Sequence, residues 1–175
     1  MIFEKYIMPR MMKSTYADVT PELLSELGIK LLICDIDNTL VTYDDPRPTE
    51  GVAAWLDSMK RCGVTVAFVS NNHEERVSEF NRDLNLTAYW DAHKPGIGAI
   101  RAVMEKHGMT DKETALLGDQ LLTDAAAANR AGIYSIIVPP IKDKKNLFFK
   151  SKRLIERPYV RKFKRISDIG DILSK

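Results

Sequence analysis

Five short apolar runs recur along this chain: LLIC at 31–34, VTVAFVS at 64–70, AYW at 88–90, TALLG at 114–118 and IYSIIV at 133–138. Short apolar runs bounded by turn signals read as strands; LLIC and VTVAFVS, the latter rich in β-branched residues, read as strands covered on both faces. The stretches between them carry helical spacing instead. Val52, Trp55, Leu56 and Met59 share one face; Val77, Phe80 and Leu84 share another; Ile97, Ile100, Val103 and Met104 line a third helix that stops at Gly108. TDAAAANRAG reads as a helix of small residues closed by Gly132. Parallel strands need a crossover connection, so alternating strands and helices dictate βαβ units. The expected fold is a Rossmann-like three-layer α/β/α sandwich with a mainly parallel five-stranded sheet.

At 175 residues and 45% hydrophobic content the chain suits one compact domain. It divides into an N-terminal extension (1–30) packed on the core, the core itself (31–141) and a C-terminal segment (142–175). No window approaches the roughly 18–20 apolar residues of a membrane span. MIFEKYIMPRMMK is broken by Glu4, Lys5 and Arg10 and lacks a leader's apolar region. A cytoplasmic protein is expected. Cys34 and Cys62 form no CxxC pair, and His73, His93 and His107 have no metal-ligand spacing, which argues against structural zinc and a disulfide framework.

In open α/β sheets ligands bind beyond the carboxyl ends of the strands. The reactive side chains collect there. The first strand ends in Asp35 and leads into Asp37 and Thr39; the second ends in Ser70, followed by Asn71 and Asn72; Lys94 precedes Pro95; the fourth ends in Gly118 and Asp119, with Asp124 beyond. Singly, each has a plain structural role as a cap, a first-turn acid or a loop cation. Together they crowd several carboxylates, and two such groups about 4 Å apart repel by roughly 4 kcal/mol at an effective dielectric near 20. One lysine does not balance that charge. A hard divalent ion with oxygen ligands does, Mg²⁺ foremost.

DIDNT, a serine after the second strand, a lysine about two dozen residues on, and GDQLLTD resemble the four motifs of the haloacid dehalogenase-like (HAD) phosphatase superfamily. The resemblance spans 31 to about 138. It implies that Asp35 is the nucleophile forming an aspartyl-phosphate and that Asp37 is the general acid and base. It further implies that Thr39, Ser70, Asn71 and Lys94 hold the phosphate, and that Asp35, Asp37 (through its carbonyl), Asp119 and Asp124 serve Mg²⁺. Asp37 then needs a proton at neutral pH, which negative charge from Asp119, Asp124 and the substrate favours. A receiver-type switch domain also has acids, a lysine and Mg²⁺, but carries its acid pair and its phosphorylated Asp on different strands.

Only 30 residues separate Thr39 from Ser70 and 23 separate Ser70 from Lys94, which leaves no room for a cap domain. An open site accepts a phosphate presented on something large, such as a protein, a nucleic acid end or a lipid headgroup; a phosphoprotein, a nucleotide or another soluble phosphometabolite is the alternative substrate. The narrower resemblance is to the bacterial YqeG-type branch, itself similar to fungal mitochondrial phosphatidylglycerophosphatases, and it implies a phosphatidylglycerophosphate substrate. AAAANR departs from it where a glycine pair is expected before Asn129. Charge adds to this. Residues 1–141 carry 14 Lys+Arg against 20 Asp+Glu, a net −6, while 142–175 carry 12 against 4, a net +8. From 142 to 165 the cations are interleaved with Phe148, Phe149, Tyr159 and Phe163. Each basic residue near an anionic bilayer contributes about 1 kcal/mol, so peripheral contact with the inner membrane surface is one reading. Nucleic-acid binding and a helix packed back by its aromatics are the others.

Overall fold

The computed structural model describes residues 2–142 and 158–163. In chain order the elements are α1 (Ile2–Ile7), β1 (Met11–Met12), α2 (Pro21–Glu26), β2 (Leu31–Cys34), α3 (Glu50–Arg61), β3 (Thr65–Val69), α4 (Glu74–Asn81), β4 (Thr87–Tyr89), α5 (Gly98–His107), β5 (Thr114–Gly118), a π-helical turn (Leu121–Ala125) running into α6 (Ala126–Ala131), and β6 (Tyr134–Ile137). A further helix occupies 158–163. The strands form one all-parallel sheet in the order β1-β6-β5-β2-β3-β4. Among the described residues no cap domain interrupts it.

Alternation along each strand sorts side chains between two layers. Leu32 and Cys34 of β2, Val66 and Phe68 of β3, and Ala115 and Leu117 of β5 face α2, α3 and α4. Leu31, Ile33, Ala67, Val69 and Leu116 face α5 and α6. Buried Val52, Trp55, Leu56 and Met59 give α3 its inward stripe, and Thr49 caps its first turn by accepting from Val52 N–H at 3.3 Å. Trp55 donates its indole N–H to Val19 O at 2.9 Å, which ties the N-terminal residues to this layer. Gly108, at φ +63°, ends α5 in the left-handed conformation that glycine adopts without strain.

The sheet has six strands where the sequence indicates five. The extra one is β1, from the N-terminal extension: Met11 pairs with Ile136 and Met12 with Ile137. Two residues are too few to show alternation, so only tertiary contacts define it. Arg10 N–H donates to Ser135 O at 3.1 Å and to Ser135 Oγ at 2.9 Å, and Lys13 N–H donates to Ile137 O at 3.0 Å. Asn129 fixes the chain just before β1, its amide donating to Tyr6 O at 3.0 Å and to Met8 O at 2.8 Å. The helix expected to include Leu84 ends instead at Asn81, whose side chain bonds both backbone polar groups of Leu86 and so turns the chain.

Most of the basic segment, including Phe148 and Phe149, lies outside the described residues. Tyr159 and Val160 pack against a small cluster of Ile7, Leu121, Ala125, Ala126 and Ile137. For this stretch the packed-back reading holds. No helix among the described residues is long and apolar enough to cross a membrane.

Candidate active site

The central strand β2 has β3 on one side and β5 on the other, so the loops after all three meet at one edge. The chain after β2 must turn at once. Asn38 takes φ +66°, a conformation that Asn tolerates better than most residues, and Asn38 N–H donates to Val41 O at 2.7 Å. Leu40 and Val41 N–H return to Ile36 O, and buried Ile36, Leu40 and Val41 anchor the turn. Asp35, Asp37 and Thr39 are thereby held at the sheet edge, all buried.

Lys94 enters from the loop after β4. Asn71 fixes that loop, accepting from Lys94 N–H at 2.6 Å and donating to Lys94 O at 3.0 Å. Arg130 adds a bond from its guanidinium to Pro95 O at 2.8 Å. The buried ammonium lies 2.7 Å from Asp35 Oδ1, 2.8 Å from Asp124 Oδ1 and 2.7 Å from Val69 O. Burial alone pulls the Lys94 pKa down, but the charges of Asp124 and Asp35 outweigh it and the net shift is upward. Burial pushes the Asp35 carboxyl up to about 6, Asp124 adding to the rise and Lys94 opposing it.

The π-helical turn sets Asp124 directly over the end of β5. A Cβ on Gly118 would overlap the Asp124 side chain, so glycine is what lets the carboxylate approach. Asp124 Oδ2 accepts from Gln120 N–H at 3.1 Å. Its Oδ1 contacts the Lys94 ammonium without hydrogen-bond alignment and has no other partner among the described residues, which leaves a buried oxygen with acceptor capacity. Asp35, Asp119 and Asp124 can each offer an oxygen within 4.8 Å of the others. Ionised pairs at that spacing repel by about 3–4 kcal/mol at an effective dielectric near 20. An oxygen-only, buried, mutually repelling set fits a hard divalent cation.

Around these groups lies a cleft of about 200 Å³, lined by Asp35, Asp37, Tyr43, Ser70, Asn71, Asn72, Lys94, Gln120, Thr123 and Asp124. A hollow of about 320 Å³ beside Thr20, Trp55 and Arg61 is larger, yet it holds no comparable constellation. Thr39 Oγ1 donates to Asp35 Oδ2 at 3.3 Å, and Ser70 Oγ accepts from Asn72 N–H at 3.0 Å. Every site residue indicated by the sequence therefore sits at this edge. Asn71 differs in one respect, since both ends of its amide are engaged by the Lys94 backbone. Asp37 differs in another: its immediate partners are Arg76 and Asn72 rather than acids. Arg76 and Tyr43 escape sequence reasoning because they belong to no apolar period and no motif, while Gln120 and Thr123 stand within GDQLLTD only as spacers.

The sequence family of haloacid dehalogenase-like hydrolases matches residues 4–138, and the chain belongs to it. Its relationship can be drawn more closely. Over 164 residues it is 33% identical to the "Probable phosphatase YqeG" of Bacillus subtilis, covering 94% of this chain and 95% of that protein. Among solved structures it is similar to CbbY from Rhodobacter sphaeroides in complex with phosphate, with TM-score 0.53, 14% identity and coverage of 69% and 90% of the two chains. It is also similar to the cobalt-bound deoxy-D-mannose-octulosonate 8-phosphate phosphatase of Haemophilus influenzae, with TM-score 0.51, 15% identity and coverage of 75% and 89%. At these identities the likeness is one of fold.

Proposed function

We propose that this hydrolase is a divalent-metal-dependent phosphomonoester phosphatase whose nucleophile is Asp35. The observation that carries the reading is Asp35 itself, buried at the cleft with Lys94, Asp119 and Asp124 around it and an oxygen of each acid within 4.8 Å of the others. The carboxylate of Asp35 attacks phosphorus, the bond from phosphorus to the ester oxygen breaks, and Asp37 gives that oxygen a proton. Asp37 then takes a proton from water as the water attacks the aspartyl-phosphate, which releases phosphate and restores Asp35. Thr39, Ser70 and Lys94 hold the phosphoryl oxygens, and Asn71 acts by fixing Lys94. Mg²⁺, held by Asp35, Asp119, Asp124 and the Asp37 carbonyl, would offset the negative charge of the acids and the phosphate.

For the substrate we favour the headgroup phosphate of phosphatidylglycerophosphate at an anionic membrane surface. The uncapped cleft and the net +8 of residues 142–175 support that choice, which is also the substrate that the resemblance to the YqeG-type branch implies. The experiment compares release of phosphate from phosphatidylglycerophosphate vesicles, nucleotides, sugar phosphates and p-nitrophenyl phosphate with Mg²⁺, for the native chain and Asp35→Asn. Loss of all turnover in a folded Asp35→Asn protein is expected. Vesicle hydrolysis is expected to weaken with salt and on neutralising the cations of 142–165. Efficient turnover of a soluble phosphate with none on vesicles refutes the lipid assignment and leaves the phosphatase intact.

A further inference from the structure

We propose that Arg76 is a positioning residue for the reaction: it clamps Asp37 so that Oδ2 is the oxygen that exchanges the proton with the ester. This rests on the acid–base role proposed above for Asp37. Arg76 lies on α4 with its side chain only 16% exposed. Its Nε and a terminal nitrogen both donate to Asp37 Oδ1, at 3.0 and 2.8 Å. The other terminal nitrogen donates to Pro46 O at 3.0 Å, so one guanidinium grips two points of the loop between β2 and α3. Behind it, the guanidinium carbon stands 5.7 Å from the ring centre of Phe80. Phe80 in turn packs edge-on against Phe68 of β3, with ring centres 5.3 Å apart. Asp37 is thus braced from the sheet through a continuous contact chain.

Lone-pair accounting assigns the two oxygens different tasks. Oδ1 accepts two N–H groups from a permanent cation and has no position left for a proton. Oδ2 accepts one bond, from the Asn72 amide at 2.9 Å, and keeps one position. The Asn72 amide is itself oriented, because its oxygen accepts from His73 N–H at 2.9 Å. Asp37 and Asn72 line the cleft and Arg76 does not, which puts the clamp behind the acid rather than against the substrate. A lysine cannot replace it: a point cation lacks the fork that reaches both Asp37 and Pro46.

The test uses the full chain with Mg²⁺ and a series of substituted aryl phosphates graded in leaving-group basicity. kcat/KM reports the step in which the ester bond breaks. Asp37→Asn, Arg76→Gln, Arg76→Lys and the Asp37→Asn/Arg76→Gln double variant are compared. For Arg76→Gln we expect a loss of about 100-fold with phenyl phosphate and under about threefold with p-nitrophenyl phosphate, since a good leaving group needs no acid. The Lys variant should follow the same slope, so it serves if the Gln variant does not fold. In the Asp37→Asn background the Arg76 change should cost less than about twofold more, the signature of residues acting as one unit. Equal losses across the series, or an additive double variant, overturn the positioning role. A flat series for Asp37→Asn itself removes the acid–base reading, and a steep one beside a flat Arg76 series overturns the clamp alone.

Discussion

Gly118→Ala isolates the approach of Asp124 to the end of β5. Position 118 is buried and paired: Val138 N–H donates to Gly118 O at 3.0 Å, and Gly118 is in register with Ile137. The strand therefore cannot move aside, and an added methyl meets the Asp124 Cβ, Cγ and Oδ2. Overfilling a packed site costs about 1–3 kcal/mol. Displacing Asp124 also takes one of the two carboxylates from Lys94, while Asp35 remains. That adds a fraction of the roughly 3–5 kcal/mol for breaking a buried pair, giving about 2–4 kcal/mol in all. For a chain of this size each kcal/mol moves the melting temperature by roughly 2–4 °C, so a drop near 10 °C is expected by circular dichroism in chelator. With the proposed metal site filled, excess Mg²⁺ at about 100 times its dissociation constant should stabilise the native chain by about 2.7 kcal/mol, and the variant should lose most of that shift. Background substitutions sharpen the test. Asp124→Ala keeps the overlapping Cβ and should not relieve Gly118→Ala, whereas Asp124→Gly should. A Gly118→Ala protein that melts within about 2 °C of the native chain and keeps its Mg²⁺ response refutes the reasoning.

Two further perturbations probe the buried charges. Asp35 sits near 6 in the fold against an ordinary value of 3.8, so burial favours its protonated form. Without divalent ions its contribution to stability is complete below 3.8 and is lost as pH rises through about 6; an ion held as proposed would need the carboxylate and should reverse the trend. The Mg²⁺-induced rise in melting temperature should accordingly be larger at about pH 7 than at about pH 5, and an equal or opposite trend by differential scanning fluorimetry contradicts the assignment of Asp35 as a ligand. Lys94→Met leaves Asp35 and Asp124 without their shared ammonium and should cost about 3–5 kcal/mol in urea unfolding with chelator. Lowering the pH or adding Mg²⁺ should recover part of it, and a loss under about 1 kcal/mol would show that the pair is not buried as described.

What can be read from the sequence follows from what repeats. Strands β2, β3 and β5 are apolar runs covered on both faces, and Asp35, Ser70 and Asp119 are the polar residues at which those runs stop. Such positions stand out without coordinates. The edge strand β1 does not, because Met11–Met12 has no period and gains its identity from Ser135 and Asn129, more than a hundred residues away. Arg76 is hidden for a related reason. On α4 it precedes Val77 and looks like one more charge in HEER, yet the approach of the loop after β2 gives its guanidinium a carboxylate and a carbonyl. The π-helical turn has the sequence of an ordinary helix start, since its distinguishing feature is the Asp124 contact with Gly118 rather than any propensity.

Asn129 and Arg130 are neighbours in the chain, and one grips Tyr6 and Met8 while the other grips Pro95 beside Lys94. A purification handle fused ahead of residue 2 would thus load the same short helix that steadies the ammonium at the cleft. Kinetic comparisons should use protein from which such a handle has been cleaved.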